Sequence, residues 1–197
     1  METEVLKNPW EQLSALIKTE QPEQIVAFLE SINPADTSLA VSRLTDNEQR
    51  RLFQLIHPED AAEVFEDFSD ALTVDVIGEL EPEQVASIFE ELDSDHVADL
   101  LGELDEDDAN SIIEQMSPED AEEARSLLQY APDTAGGLMI SEFLDYRSDQ
   151  TVQDVLDDLQ ANREKYADYD VQYLYVTDEQ KRLQGVLRMR DLLFPER

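Results

Sequence analysis

Apolar side chains in this sequence recur in a unit of twelve residues. Pro34, Asp46, Pro58, Asp70, Pro82, Ser94, Glu106 and Pro118 each open one unit. With that residue as position 1, position 8 holds Val41, Phe53, Phe65, Ile77, Phe89, Leu101 and Ile113. Position 11 holds Leu44, Ile56, Phe68, Leu80, Leu92, Leu104 and Met116, and positions 4 and 7 are often apolar too, as in Val85/Ile88 and Val97/Leu100. Apolar residues at 4, 7, 8 and 11 form the i, i+3, i+4, i+7 stripe of an amphipathic helix. Each unit therefore predicts about nine helical residues and a tight turn, opened by Pro, Asp, Ser or Glu with acids in the first turn. A helix this short cannot bury its stripe alone, whereas stacked neighbours can, so the units predict a superhelical stack. Trp10–Ile17 and Gln24–Ile32 read as two further helices capping it, with Trp10 lying over them.

The period breaks near Tyr130. Ala131-Pro132-Asp133-Thr134-Ala135-Gly136-Gly137 reads as a linker, or hinge, and the Gly137 carbonyl is a candidate oxygen donor to a metal. Beyond it, Thr151–Arg163 has helical spacing. Phe143–Tyr146, Val171–Val176 and Leu183–Leu187 read as strands, with a turn at Asp178–Arg182, and Asp191–Phe194 starts a last helix. The fold class expected is mainly α: a stack of short helices over 1–130, then a small α/β half-module over 131–197.

Charge sharpens this picture. The 197 residues carry 14 Lys and Arg against 48 Asp and Glu, a net charge of −34. From Leu52 to Ala124 there is no Lys or Arg in 73 residues, which hold 25 of the acids. Such a field repels phosphate, so no nucleic-acid partner is expected, and it attracts cations or a basic protein. The absence of Cys excludes disulfides and thiolate chemistry. His57 and His96 have no metal-ligand spacing. His57, ahead of Pro58, reads as the end of a helix, and His96 as a surface residue. No apolar run reaches the ~20 residues of a membrane helix, and the N-terminus lacks signal-peptide character, so a cytoplasmic chain is expected.

The run Asp133-Thr-Ala-Gly-Gly-Leu-Met139, with Tyr173-Leu-Tyr-Val-Thr-Asp178 and Leu183-Gln-Gly-Val-Leu-Arg-Met-Arg-Asp-Leu-Leu193, resembles the MgtE family of magnesium transporters. The resemblance covers that family's cytosolic N domain (roughly 1–130) and the first of its two CBS motifs (roughly 131–197). It implies a Mg²⁺-sensing regulatory region at the cytoplasmic face of the cell membrane, binding Mg²⁺ between N and CBS domains to favour a closed pore. The implied partners are the transmembrane pore of a parent transporter and a second copy, a homodimer through the CBS region. The second CBS motif and the pore are absent, so the chain is expected to be a truncated part that does not itself conduct ions. The family's metal ligands fall on Glu63 in Ala61-Ala-Glu-Val64, and on Asp95 and Asp99 in Leu92-Asp-Ser-Asp-His-Val-Ala-Asp99, where His96 replaces a frequent second acid.

The residues by themselves agree with that placement. Asp95 and Asp99 are i, i+4 and share a helix face away from the Val97/Leu100/Leu101 stripe. Glu63 and Asp99 both hold position 6, which predicts that a solenoid lines them along one side. Mg²⁺ takes hard oxygens and keeps several waters, so one or two carboxylates suffice. EF-hand patterns fail from Asp93 and Asp105, and no spacing fixes a catalytic carboxylate pair, so no enzyme is expected. In Gly185-Val-Leu-Arg188-Met-Arg-Asp191 the family's ribose-binding Asp is kept as Asp191, but Arg188 stands where a hydroxyl is usual, against nucleotide binding. The alternative function is an acidic armadillo-like interaction scaffold without a specific metal site, similar to the flagellar motor switch protein FliG.

Overall fold

The computed structural model describes residues 8–163, 166, 169 and 171–193. Ten short helices come first: α1 (Pro9–Thr19), α2 (Pro22–Ser31), α3 (Pro34–Ser42), α4 (Asp46–Leu55), α5 (Pro58–Glu66), α6 (Asp70–Ile77), α7 (Pro82–Phe89), α8 (Ser94–Glu103), α9 (Glu106–Ile113) and α10 (Pro118–Leu127). From α3 on, each starts on position 1 of a twelve-residue unit. The start signals are physical. Proline opens α1, α2, α3, α5, α7 and α10, where its fixed φ suits the first turn and its missing N–H has no partner to lose. Asn33 and Ser117 cap α3 and α10 through the N–H groups of Asp36 and Asp120.

His57 is the residue before α5 rather than the end of α4, with φ −72° and ψ 156°. Pro58 causes this, because a residue before proline is driven out of the helical region. The last residue of each of the first seven units, from Thr45 to Ser117, is likewise an extended joint, and the joint sets the length of the helix.

The stripe is buried. Position 8 is solvent-excluded from Val41 to Ile113, and position 7 is buried in all eight units: Ala40, Leu52, Val64, Val76, Ile88, Leu100, Ile112 and Ala124. Helices two units apart pack together: α4 on α6, α6 on α8, α8 on α10, and likewise α5 on α7 and α7 on α9. The stack therefore has an even and an odd file of helices sharing one core, which runs from Leu13 to Ala124. Phe53, Phe65 and Phe68 thread it, with ring centroids 5.1 and 6.0 Å apart. Trp10 packs on this core, with the Arg43 guanidinium 6.0 Å from its ring centroid.

A boundary at 139/140 separates this stack from a second compact unit. There β1 (Leu144–Arg147), α11 (Val152–Ala161), β2 (Tyr173–Thr177), β3 (Leu183–Arg188) and α12 (Met189–Leu193) follow in order. β1 pairs parallel with β2, the crossover being carried by α11, and β2 pairs antiparallel with β3. Leu144, Tyr146, Val155, Leu174 and Leu192 form its core. The Asp158 carboxylate accepts hydrogen bonds from Tyr146 Oη (2.8 Å), Tyr166 Oη (3.2 Å) and Asn162 Nδ2 (2.8 Å), tying α11 to β1. The last helix, predicted to start at Asp191, begins two residues earlier at Met189, and Phe194 lies outside the described residues.

One carboxylate joins α1 to α4. Glu48 Oε1 accepts from Ser14 Oγ at 2.6 Å and lies 3.1 Å from Lys18 Nζ, while Oε2 accepts from the Thr45 N–H in a capping box. The Ser14 hydroxyl, then the Thr45 backbone, holds its carboxyl down at about 2. Glu48→Ala is expected to cost about 1–2 kcal/mol at pH 7 in urea unfolding. A lowered folded pKa stabilises above the unfolded value of 4.5 and loses that stabilisation as pH falls towards 2. The gap between parent and variant should therefore close over that window.

Candidate functional site

Two clefts in the helical stack are lined by carboxylates. The first, about 370 Å³, is formed by α6, α8, the end of α10 and the turn after it, with Asp70, Asp99, Glu103, Gly102, Tyr130, Pro132 and Gly137 in its wall. The even file makes this possible. The contact of α8 with both α6 and α10 sets Asp99 between the first residue of α6 and the segment that follows α10. Gly102 lies in the α8 wall, where a Cβ would meet the Leu128 side chain at an ordinary contact distance of 3.9 Å.

Asp99 is the electrostatic centre of this cleft. It stands exposed at the rim, yet partial desolvation by the wall pushes its carboxyl above the usual range, with Asp95 and then Asp70 adding repulsion and His96 opposing it. Solvent screening keeps the effect modest at such an exposed site. Asp95, one turn earlier on α8, has its Oδ1 bound by the backbone N–H of His96 at 2.8 Å. His96 is half-exposed, near the protein surface as the sequence reading placed it.

The second cleft, about 330 Å³, lies between α2, α3 and α5 and is lined by Glu30, Thr37, Asp60, Glu63, Glu66 and Asp67. Glu63 is therefore not alongside Asp99. Position 6 recurs every twelve residues, but successive helices alternate between files, and α5 and α8 stand in opposite ones. Of the four residues singled out as metal donors, the structure brings Asp99 and Gly137 to one cleft, sets Asp95 beside it, and gives Glu63 to another. Asp70 and Glu103 were not singled out. The signal for Asp70 was present in the repeat: it opens the unit two before that of α8, and two units is the stacking interval.

The donor set is hard oxygen: carboxylates of Asp70, Asp99 and Glu103, with main chain at Gly137. Among the described residues no three His, Asp or Glu side chains converge closely enough to hold one ion by themselves. A divalent ion that keeps its waters fits here, since six waters at ~30 Å³ each occupy roughly 180 Å³ of the cleft. In the second unit, both Asp191 oxygens are engaged by Arg188, Nε to Oδ2 at 2.9 Å and Nη2 to Oδ1 at 3.2 Å. Arg188 thus occupies both oxygens of the Asp191 carboxylate, the group to which the family resemblance assigns ribose.

Among the described residues no helix is long and apolar enough to cross a membrane. The chain is similar to the magnesium transporter MgtE of Thermus thermophilus, 40% identical over 79 residues, which are 40% of this chain and 17% of that protein. It is 37% identical over 75 residues to the magnesium transporter MgtE of Enterococcus faecalis, covering 38% of this chain and 16% of that one. The matched segments thus span about a sixth of the length of these relatives. Among solved structures, the soluble part of a magnesium transporter superposes with a TM-score of 0.75 at 25% identity, covering 95% of this chain and 73% of that one. The cytosolic domain of the Mg²⁺ channel MgtE in complex with ATP superposes with a TM-score of 0.77 at 29% identity, covering 95% and 76%. The family described as the MgtE intracellular N domain matches residues 32–133, just over half of the sequence, and this chain belongs to the MgtE family.

Proposed function

We propose that this chain is the Mg²⁺-sensing regulatory part of a magnesium transporter, in which carboxylates of the helical stack bind Mg²⁺ and the bound state favours a closed pore. The observation that carries this reading is the Asp99 cleft. Asp70, Asp99 and Glu103 line it together, within a run of 73 residues that contains no Lys or Arg. With no Lys or Arg among the residues that line the cleft, a cation from solution is the available counter-charge. Asp99 and Asp70, from helices two units apart, would hold the ion, with Asp95 adding charge and the Gly137 main chain an oxygen. Waters would complete the shell. Glu63 belongs, on this reading, to a second cation position in the cleft of α2, α3 and α5.

The family relation supports reading residues 131–197 as the first CBS motif and the partner as a second copy of the chain. Tyr173, Leu183, Val186 and Leu187 stay exposed on β2 and β3, with Leu183 at 61%. A sheet this small gains from covering such a surface. Sedimentation should show a dimer at high micromolar concentration, and a monomer there would exclude this partner. ATP, which one solved relative binds, would have to displace Arg188 from Asp191 to use that carboxylate.

Limited proteolysis within residues 131–137 should slow in millimolar MgCl₂ relative to NaCl of equal ionic strength. The Asp95→Ala/Asp99→Ala double variant should lose most of that protection. Equal protection by Na⁺ would mean that the acids act only as a diffuse field, as on an interaction scaffold. The repulsion around Asp99 gives a second expectation with the opposite sign. In EDTA at pH 7, Asp99→Asn should raise the thermal midpoint slightly. Added NaCl should narrow that gap by screening charges beyond about 8 Å.

A further inference from the structure

We infer that Tyr130 is a positioning residue: its ring, lodged against the bare Cα of Gly136, holds the 131–137 turn so that Gly137 borders the Asp99 cleft. The chain leaves α10 at Leu127, and within ten residues it has come back to line the same cleft as Tyr130. A Cβ built on Gly136 would stand 2.3 Å from Cδ1 and 2.4 Å from Cγ of the Tyr130 ring. No side chain fits there, so the ring and the glycine backbone touch directly. At Gly137 a Cβ would stand 2.5 Å from the Ala131 oxygen and 2.7 Å from Pro132 Cα, a collision of backbone with backbone. Neither glycine has positive φ, so close approach rather than left-handed geometry demands glycine at both positions.

The turn has a second set of ties. Thr134 Oγ1 donates to the Ala131 carbonyl at 2.7 Å, and the Gly137 N–H donates to Thr134 O at 3.1 Å. These bonds are exposed, and water competes for them at little net cost. They also close the turn only on itself. The ring contact is what fastens its far end to the residues that follow α10, beside the Leu127 and Leu128 wall of the cleft. Its contribution is apolar and set by shape, so it should depend on the aromatic ring and not on the hydroxyl.

The effect on cation affinity rests on the proposed reading of the cleft; the effect on the turn does not. Amide hydrogen exchange on the full chain in EDTA tests the turn. Tyr130→Ala should speed exchange at Thr134, Gly137 and Met139 roughly tenfold, while Tyr130→Phe stays near the parent rate. Gly136→Ala should resemble Tyr130→Ala, and the double variant should be no faster than the faster single one, because both changes remove one contact. Parent-like exchange in Tyr130→Ala, or equal loss in Tyr130→Phe, would overturn the inference. Mg²⁺ titration by calorimetry then reads the cleft. Tyr130→Ala should weaken binding several-fold with the thermal midpoint unchanged to about a degree, and unchanged affinity would remove the positioning role. If the parent and Asp99→Asn bind Mg²⁺ equally, the reading of the cleft fails, and the exchange pattern alone decides the role of Tyr130.

Discussion

The structure depends on one constraint: helices of eight to eleven residues in the stack must hide an apolar stripe that none can hide alone. Isolated helices shorter than ~12–15 residues are marginal in water, so local propensity does not hold them. Burial of a Val-, Leu-, Ile- or Phe-sized side chain contributes about 1.5–3 kcal/mol, and each unit but the last supplies two or three such groups at positions 7, 8 and 11. Joints of extended residues, enforced in several units by the following proline, keep each helix to one unit. The outcome is two files of helices around one core, with contacts at an interval of two units. The cleft at Asp99, between α6, α8 and the end of α10, follows from that interval.

Charge is then free to be distributed for other purposes. The outward positions of the stack take almost any polar residue without disturbing the stripe, and from Leu52 to Ala124 every charged one is acidic. The bases of the early helices are used structurally. Arg50 on α4 donates through Nε to the Glu79 carbonyl at 2.8 Å and through Nη2 to its carboxylate at 2.9 Å, joining α4 to the end of α6 within the even file. Lys18 supports Glu48 across α1 and α4. Further along, carboxylates of α6 and α8 line one cleft. An exposed acidic surface is ordinary. Acids set by packing on neighbouring helices around one cleft are a narrower condition, and the proposed cation site rests on that arrangement.

The turn after α10 shows how backbone sterics reach that cleft. Gly136 and Gly137 are required by the proximity of a ring and of another stretch of main chain. Their spacing from Tyr130 is as much a part of the wall as the carboxylates opposite.

The helical part of this protein was legible in the sequence, because a period of twelve with an i, i+3, i+4, i+7 stripe leaves little choice about which residues are helical and which face inward. The β–α–β–β–α order of the second unit was legible too. β1 came out one residue late, at Leu144–Arg147 instead of Phe143–Tyr146, because its register is set by pairing with β2. Asp95 and Asp99 could be placed on one face of one helix from their spacing alone. What spacing could not decide was which helices meet. Glu63 and Asp99 share a repeat position and lie in different clefts, while Asp70, at another repeat position, lies with Asp99. A linear period specifies the face of each helix, but the file it joins depends on how the extended joints turn successive helices. That is settled only when the stripes pack together in three dimensions.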